Sequence, residues 1–156
     1  MIYVAEPQSL FTFAFDLVRG GLTVGLVQHR LFGRKGVVRV DGIEYEVLRT
    51  GPVAFALAQV GVPGMLVSAE RPGLLRSRYR VSWDSEEVEL VRSALGFRMN
   101  LVRAGEEVGT MRLANLFSRR LIIDVPEDLP VRVVAFLVWL MIRMRRAAAS
   151  SAAAGG

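Results

Sequence analysis

Ten consecutive apolar residues, at positions 133–142, are the feature that most restricts how this chain can fold. A helix that is apolar on every side must be surrounded by protein or by lipid. At 1.5 Å per residue the run is about 15 Å long, whereas the hydrocarbon core of a bilayer is about 30 Å thick. Arg132 and Arg143 bracket the run. The sequence therefore favours a helix buried in protein, with a membrane anchor as the alternative.

The segments before this run are typical of β-structure. Phe11, Phe13 and Phe15 alternate with polar or small residues, which is the period of a strand with one apolar face. Asp41-Gly42 is a two-residue hairpin signal. Such patterns predict eleven strands, with residues 2–4 as a candidate twelfth. We expect the strands at about 11–17, 22–28, 37–40, 43–48, 53–60, 65–69, 77–83, 87–92, 97–102, 108–113 and 117–124.

Internal repeats support this reading of the strands. The pattern L-V-R-x-G-x-x-V-G occurs at residues 17–25 and again at 101–109, and upstream of it Phe13 matches Phe97. Residues 44–49 return in similar form as 87–92. A looser element, two large apolar residues near a basic one, begins at positions 31, 74 and 116. These spacings predict a unit of about 42 residues repeated three times.

Strand number and the apolar helix support each other. About eight strands leave room only for side chains, whereas an eleven-stranded barrel admits a helix along its axis. We therefore expect a mainly β protein, a closed antiparallel barrel of about 11–12 strands around a central apolar C-terminal helix. Residues 1–146 are expected to form one domain. The Ala, Ser and Gly tail at 147–156 is expected to be disordered.

A β-meander of this length, followed by Leu-Ile-Ile-Asp at 121–124 and the apolar run, resembles the tubby C-terminal-like superfamily. More narrowly, it is similar to the LURP-one-related and phospholipid-scramblase-like proteins, whose strands resemble Leu-Phe-Gly-Arg at 31–34 and Leu-Phe-Ser-Arg at 116–119. The resemblance covers about residues 11–146 and implies a closed barrel around a central helix. Tubby domains bind phosphoinositides, and scramblase-like members are linked to membranes and metal ions. No ligand-binding motif of the family matches residue for residue.

The residues that usually carry catalysis or bind metals are scarce. Cysteine is absent, which removes thiol chemistry and the acylation sites typical of scramblases. The single histidine, His29, gives neither a triad nor a metal cluster and is expected to be a structural or surface residue. The paired glutamates at 86–87 and 106–107 fall in predicted turns, and Trp83 and Trp139 are expected in the core. We expect no enzymatic activity, no cofactor and no metal site.

The distribution of charged residues along the sequence leads to a hypothesis about function. Lys and Arg number 20 and Asp and Glu 15, for a net charge of +5. In an up-and-down barrel successive loops alternate between the two ends, so arginines gather at one end and carboxylates at the other. We expect the basic end to bind anions, with anionic phospholipid headgroups or a membrane surface ranked above nucleic acid. The candidate residues are Arg34, Lys35, Arg76, Arg78, Arg119, Arg120, Arg143, Arg145 and Arg146.

A simpler interpretation stays open beside this one. The charges can serve solubility and cross-strand pairs such as Arg39 with Glu44, in a structural or protein-interaction domain without a small ligand. A tail-anchored or scramblase-like protein is the further alternative. We expect a cytoplasmic monomer, peripheral at the membrane, with no particular protein partner indicated. The lack of cysteine is compatible with a reducing compartment.

Overall fold

A computed structural model describes residues 1–10, 13–29, 36–73, 78–94 and 97–155. Within these ranges the chain forms twelve strands followed by one helix, α1 (Val131–Ala154). The strands are β1 (Ile2–Pro7), β2 (Ala14–Arg19), β3 (Leu22–Gln28), β4 (Gly36–Val40), β5 (Ile43–Gly51), β6 (Ala54–Gln59), β7 (Val67–Glu70), β8 (Arg78–Trp83), β9 (Glu86–Arg92), β10 (Arg98–Arg103), β11 (Glu106–Leu113) and β12 (Leu121–Asp124).

The strands close into a barrel by a simple rule. Each strand pairs antiparallel with the next one along the chain, and β1 pairs with β12 to complete the ring. In this seam Ile2 lies opposite Asp124 and Ala5 lies opposite Leu121. The predicted closed barrel is therefore confirmed, and residues 2–7 supply the twelfth strand.

The barrel interior is filled by the inward faces of the strands and by α1. Along β8, Tyr79, Val81 and Trp83 are buried, while the residues between them are partly exposed. Ten consecutive residues of α1, at 133–142, are each at most 4% exposed. Because ten residues cover every face of a helix, strands must surround this segment on all sides. The apolar run is thus enclosed by the protein's own sheet, as predicted.

The structure also bears on the membrane alternative. The buried part of α1 is covered by strands, so it is not available to a bilayer. In the part of the chain that is described, no helix combines the length and the apolar character needed to cross a membrane.

The repeated sequence pattern has a structural counterpart. The β2–β3 and β10–β11 hairpins both contain a register shift at the same point of the pattern, after Leu17 and after Leu101. The last glycine of each copy of the nine-residue pattern lies against the backbone of a neighbouring strand or loop. A Cβ at Gly25 would meet the carbonyl of Arg39, and one at Gly109 would meet the carbonyl of Asp124. The repeat therefore encodes a bulged hairpin with a close backbone approach.

Two regions differ from the expectation. The tail is helical through Ala154, because alanine favours helix and because extending a formed helix needs no new nucleation. The predicted strand at 117–124 is shorter and begins at Leu121, so residues 114–120 form a loop. Arg143, Arg145 and Arg146 lie within the helix, and Leu116 and Phe117 lie in the loop between β11 and β12.

An arginine-rich end of the barrel as a candidate binding site

The two ends of the barrel differ in charge. We call "entry end" the end where residues 125–130 lead into α1, together with the turns β2–β3, β4–β5, β6–β7, β8–β9 and β10–β11. Two salt bridges lie there: Arg132 of α1 pairs with Asp84 at 2.9 Å, and Arg103 pairs with Asp128, which precedes the helix, at 2.8 Å. The carboxylates expected at this end lie there: Asp41, Asp84, Glu86, Glu87, Glu106, Glu107, Asp124, Glu127 and Asp128.

At the opposite end, the "exit end", inward-facing strand positions are occupied by arginine. Side chains alternate along a strand, so the residue two positions beyond the last buried one faces the same way. At three strands this position is an arginine, following Val47 of β5, Ala69 of β7 and Leu90 of β9. Arg119 stands in the same relation to Leu121, the first buried residue of β12.

The helix adds three further cations to the same end. Ile142 is the last buried residue of α1, and Arg143, Arg145 and Arg146 follow it directly. We call the combined set the "arginine mouth". Its members are Arg49, Arg71, Arg92, Arg119, Arg143, Arg145 and Arg146.

Most of these guanidinium groups stack on aromatic rings. The distances from Cζ to the ring centroid are 4.2 Å for Arg146 over Phe13, 4.5 Å for Arg143 over Phe55, 5.3 Å for Arg145 over Phe97, 5.4 Å for Arg119 over Phe13, and 5.6 Å for Arg71 over Tyr79 and Arg92 over Phe97. A cation–π contact engages the face of a guanidinium, and its edge can still donate hydrogen bonds. Nη1 of Arg119 donates to the carbonyl oxygens of Ser9 and Leu10, and Nη1 of Arg146 lies 2.7 Å from Nδ1 of His29.

The arginine mouth contains little compensating negative charge. Among the described residues, no Asp or Glu forms an ion pair with these members of the mouth: Arg49, Arg71, Arg92, Arg143, Arg145 and Arg146. Burial lowers the pKa of Arg145, and the nearby charge of Arg119 lowers it further. An anion placed here would offset both effects.

Arg143 lies in a similar environment on another side of α1. Burial lowers its pKa, a nearby Tyr79 partly opposes that shift, and the charges of Arg49 and Arg71 add to it. The arginine mouth therefore has two parts, one around Arg143 and one around Arg119, Arg145 and Arg146.

The nine predicted site residues do not all meet. Arg34, Lys35 and Arg76 lie outside the described residues. Arg78 forms a salt bridge with Glu89 at 3.0 Å, and Arg120 forms one with Glu6 at 3.3 Å. Both alternate with inward-facing neighbours, which places them on the outer wall. The arginines that converge on the mouth are Arg119, Arg143, Arg145 and Arg146.

The single histidine holds one of these arginines in place. His29 follows β3 and stacks on Trp139 with ring centroids 5.4 Å apart. Arg146 Nη1 lies 2.7 Å from His29 Nδ1. Because arginine can only donate, Nδ1 is the acceptor and carries no proton. Within the described ranges, no three His, Asp or Glu side chains are grouped so that they could hold a metal ion.

Sequence reasoning missed several residues of the exit end. Arg71 could have been found by counting alternate positions from the buried face of β7. Phe13 and Phe97 match each other in the repeat, yet nothing in the repeat shows that both line one pocket. Leu116 and Phe117 are 90% and 98% exposed and lie in the loop at 114–120, where the sequence predicted a strand from residue 117.

No protein-family model, curated protein or solved structure matches this chain. Its functional assignment therefore depends on the geometry of the exit end.

Proposed function

We propose that this chain is a non-enzymatic binding module that docks on anionic phospholipid headgroups at a membrane surface through its exit end. One observation carries the proposal: the arginine mouth occupies the same end as Leu116 and Phe117, which are the two most exposed large apolar side chains among the described residues. Basic residues beside exposed apolar loops suit a surface that is anionic at the headgroups and apolar below them.

The magnitudes fit reversible attachment. A Lys or Arg near an anionic membrane surface contributes about 1 kcal/mol, and full burial of a Leu or Phe side chain about 1.5–3 kcal/mol. Association costs about 4–15 kcal/mol in lost translational and rotational freedom. The favourable contributions of the mouth and the loop are of this same order. We therefore expect peripheral binding that weakens as salt screens the charges.

The charge layout also defines an orientation. The entry end carries the carboxylates, which an anionic surface repels, so the barrel would stand with its exit end on the membrane. The resemblance to tubby-like proteins makes phosphoinositides one specific form of this ligand class. That narrower identity stays a prediction.

Sedimentation with vesicles tests the proposal. We expect the protein to pellet with vesicles that contain phosphatidylserine but not with vesicles of phosphatidylcholine alone, and to be released by high salt. Replacing Arg119, Arg145 and Arg146 with Gln should reduce binding about tenfold or more, since it removes three cations at about 1 kcal/mol each.

A matched control separates a located site from net charge. Replacing Arg39, Arg103 and Arg132 with Gln also removes three positive charges, but these arginines pair with Glu44, Asp128 and Asp84 away from the mouth. This variant should bind vesicles nearly as well as the wild type. Equal loss in both variants, with both still folded by circular dichroism, would reject the exit end as the docking site.

The rival interpretation also has an observation behind it. The predicted pair Arg39 with Glu44 is present at 3.4 Å, as are the outer-wall pairs of Arg78 and Arg120. These pairs suit a structural or protein-interaction domain that binds no lipid. Failure to bind anionic vesicles at low salt would favour that function.

A further inference from the structure

A pocket of about 310 Å³ lies at the exit end beside α1. The rings of Phe13, Phe15 and Phe97 and the side chain of Ile142 form its apolar walls. Arg119, Arg145 and Arg146 supply three guanidinium groups, and the described lining contains no carboxylate. Apolar walls beside a group of cations are complementary to a ligand with an apolar body and a negative charge.

One cation of the pocket, Arg145, has a donor group for which such a ligand would provide an acceptor. Within the described chain, Nε of Arg145 is buried and has no hydrogen-bond partner. A buried donor without a partner is destabilising, and an oxygen atom of a bound anion would satisfy it. The fork of a guanidinium also matches the two oxygens of a carboxylate or phosphate.

We infer that this pocket binds a small amphiphilic anion, a carboxylate or phosphate monoester attached to an aromatic ring system or a short acyl chain. The volume lies at the low end of the range of about 300–1,000 Å³ that is usual for small-molecule pockets. It therefore suits about one ring system or one short chain, with the anionic group beside Arg145. Binding of such a molecule from solution requires no membrane.

Titration calorimetry with three probes tests the inference. The probes are naphthalene-2-carboxylate, its uncharged analogue naphthalene-2-methanol, and inorganic phosphate. We expect the carboxylate to bind about tenfold or more tightly than either of the others, because it alone uses both the walls and the cations. Equal binding of the carboxylate and the alcohol would overturn the inference, as would failure of the carboxylate to bind.

Two variants locate the binding. Ala149 lines the pocket, so Ala149→Leu should fill it and abolish carboxylate binding while every arginine remains. Arg145→Gln should weaken binding about tenfold. Arg120→Gln is the control, because Arg120 neighbours Arg119 in sequence but pairs with Glu6 on the outer wall. Wild-type affinity in both Ala149→Leu and Arg145→Gln would place the carboxylate elsewhere and reject the pocket.

The Ala149→Leu variant also identifies the source of the anion. If it loses the carboxylate but keeps binding to phosphatidylserine vesicles, the natural ligand is a soluble molecule and the membrane is held by the rest of the mouth. If it loses both, the pocket takes part of a lipid. Either result supports the pocket. Membrane docking itself is tested by the binding of the wild-type protein to vesicles.

Discussion

The indole of Trp139 lies so close to Gly36 that a Cβ atom at position 36 would overlap its Nε1. Trp139 is on the buried part of α1 and Gly36 is the first residue of β4. The same indole stacks on His29, whose Nδ1 accepts a hydrogen bond from Arg146. The position of one guanidinium at the exit end thus depends on a glycine in the barrel wall.

Substitution of that glycine should move the helix or strain the wall. We expect Gly36→Ala to lower the free energy of unfolding by about 1–3 kcal/mol or more, as overpacking of a core does. Gly51→Ala is the control, since a Cβ there meets only Ala54 Cβ at 3.4 Å, an ordinary contact. Urea unfolding measures both. Full stability of Gly36→Ala would show that the indole can move away without loss.

Shortening the side chain at position 139 should make room for the methyl group that Gly36→Ala introduces. In the Gly36→Ala background, Trp139→Leu should cost less than it does in the wild-type protein, because the two positions are coupled. A double-mutant cycle measures this coupling. Additive effects would contradict the close contact.

The apolar loop at the exit end should contribute to membrane binding beyond charge. Replacing Leu116 and Phe117 with Ser should weaken association with phosphatidylserine vesicles about tenfold or more while the net charge is unchanged. Val62 and Met65, 48% and 63% exposed at the entry end, give the matched control. Their replacement with Ser should leave vesicle binding as it is. If only the replacement of Val62 and Met65 reduced vesicle binding, the entry end and not the exit end would be the membrane-binding end.

The crowded cations should make the exit end a source of instability. Burial and Arg119 disfavour the charged form of Arg145, so Arg145→Met keeps the stem but removes the charge. We expect the free energy of unfolding to rise by at most about 1 kcal/mol, because Arg145 is only half buried and solvent screens its charge. Arg80→Met should instead lower the free energy of unfolding, because Arg80 lies between the carboxylates of Glu70 and Glu87.

The pH dependence of this gain follows from the sign of the pKa shift. A base whose pKa is lowered by folding destabilises the folded state by the full amount at every pH below that lowered pKa. The cost shrinks as pH rises above it and is gone only above the ordinary pKa of the unfolded chain. Arginine stays protonated across the neutral range. The gain from Arg145→Met should therefore be the same at about pH 6 and about pH 9. A stability gain seen at only one of these pH values would show that another titratable group causes it.

Local patterns were sufficient to predict the barrel. Alternation around Phe13 and Phe15, the turn at Asp41-Gly42 and the uniform apolar run each report on a structure formed by nearby residues. The two matching hairpins could be recognised because their sequence pattern recurs, whereas the bulge that both contain is seen only in the strand registers. The prediction that Trp83 and Trp139 lie in the core is confirmed. Trp83 is on the buried face of β8, and Trp139 is within the apolar run of α1.

The candidate site was only partly predictable, because it forms between distant segments. Arg120 and Arg119 are neighbours in sequence, yet one pairs with Glu6 outside and the other reaches the pocket beside Arg145. That division depends on where β12 begins, and the pattern placed its start four residues too early. Stacking of Arg146 on Phe13 depends on the exit position of the helix, which no local signal specifies.

The seam between β1 and β12 governs the order of assembly. Among the twelve described strands it is the pairing between the first strand and the last, and the helix that fills the interior follows β12. We therefore expect a growing polypeptide to leave the apolar side of its strands uncovered until α1 has emerged. Ribosome-bound chains of this protein should depend on holdase chaperones more than proteins whose first strands already enclose a core.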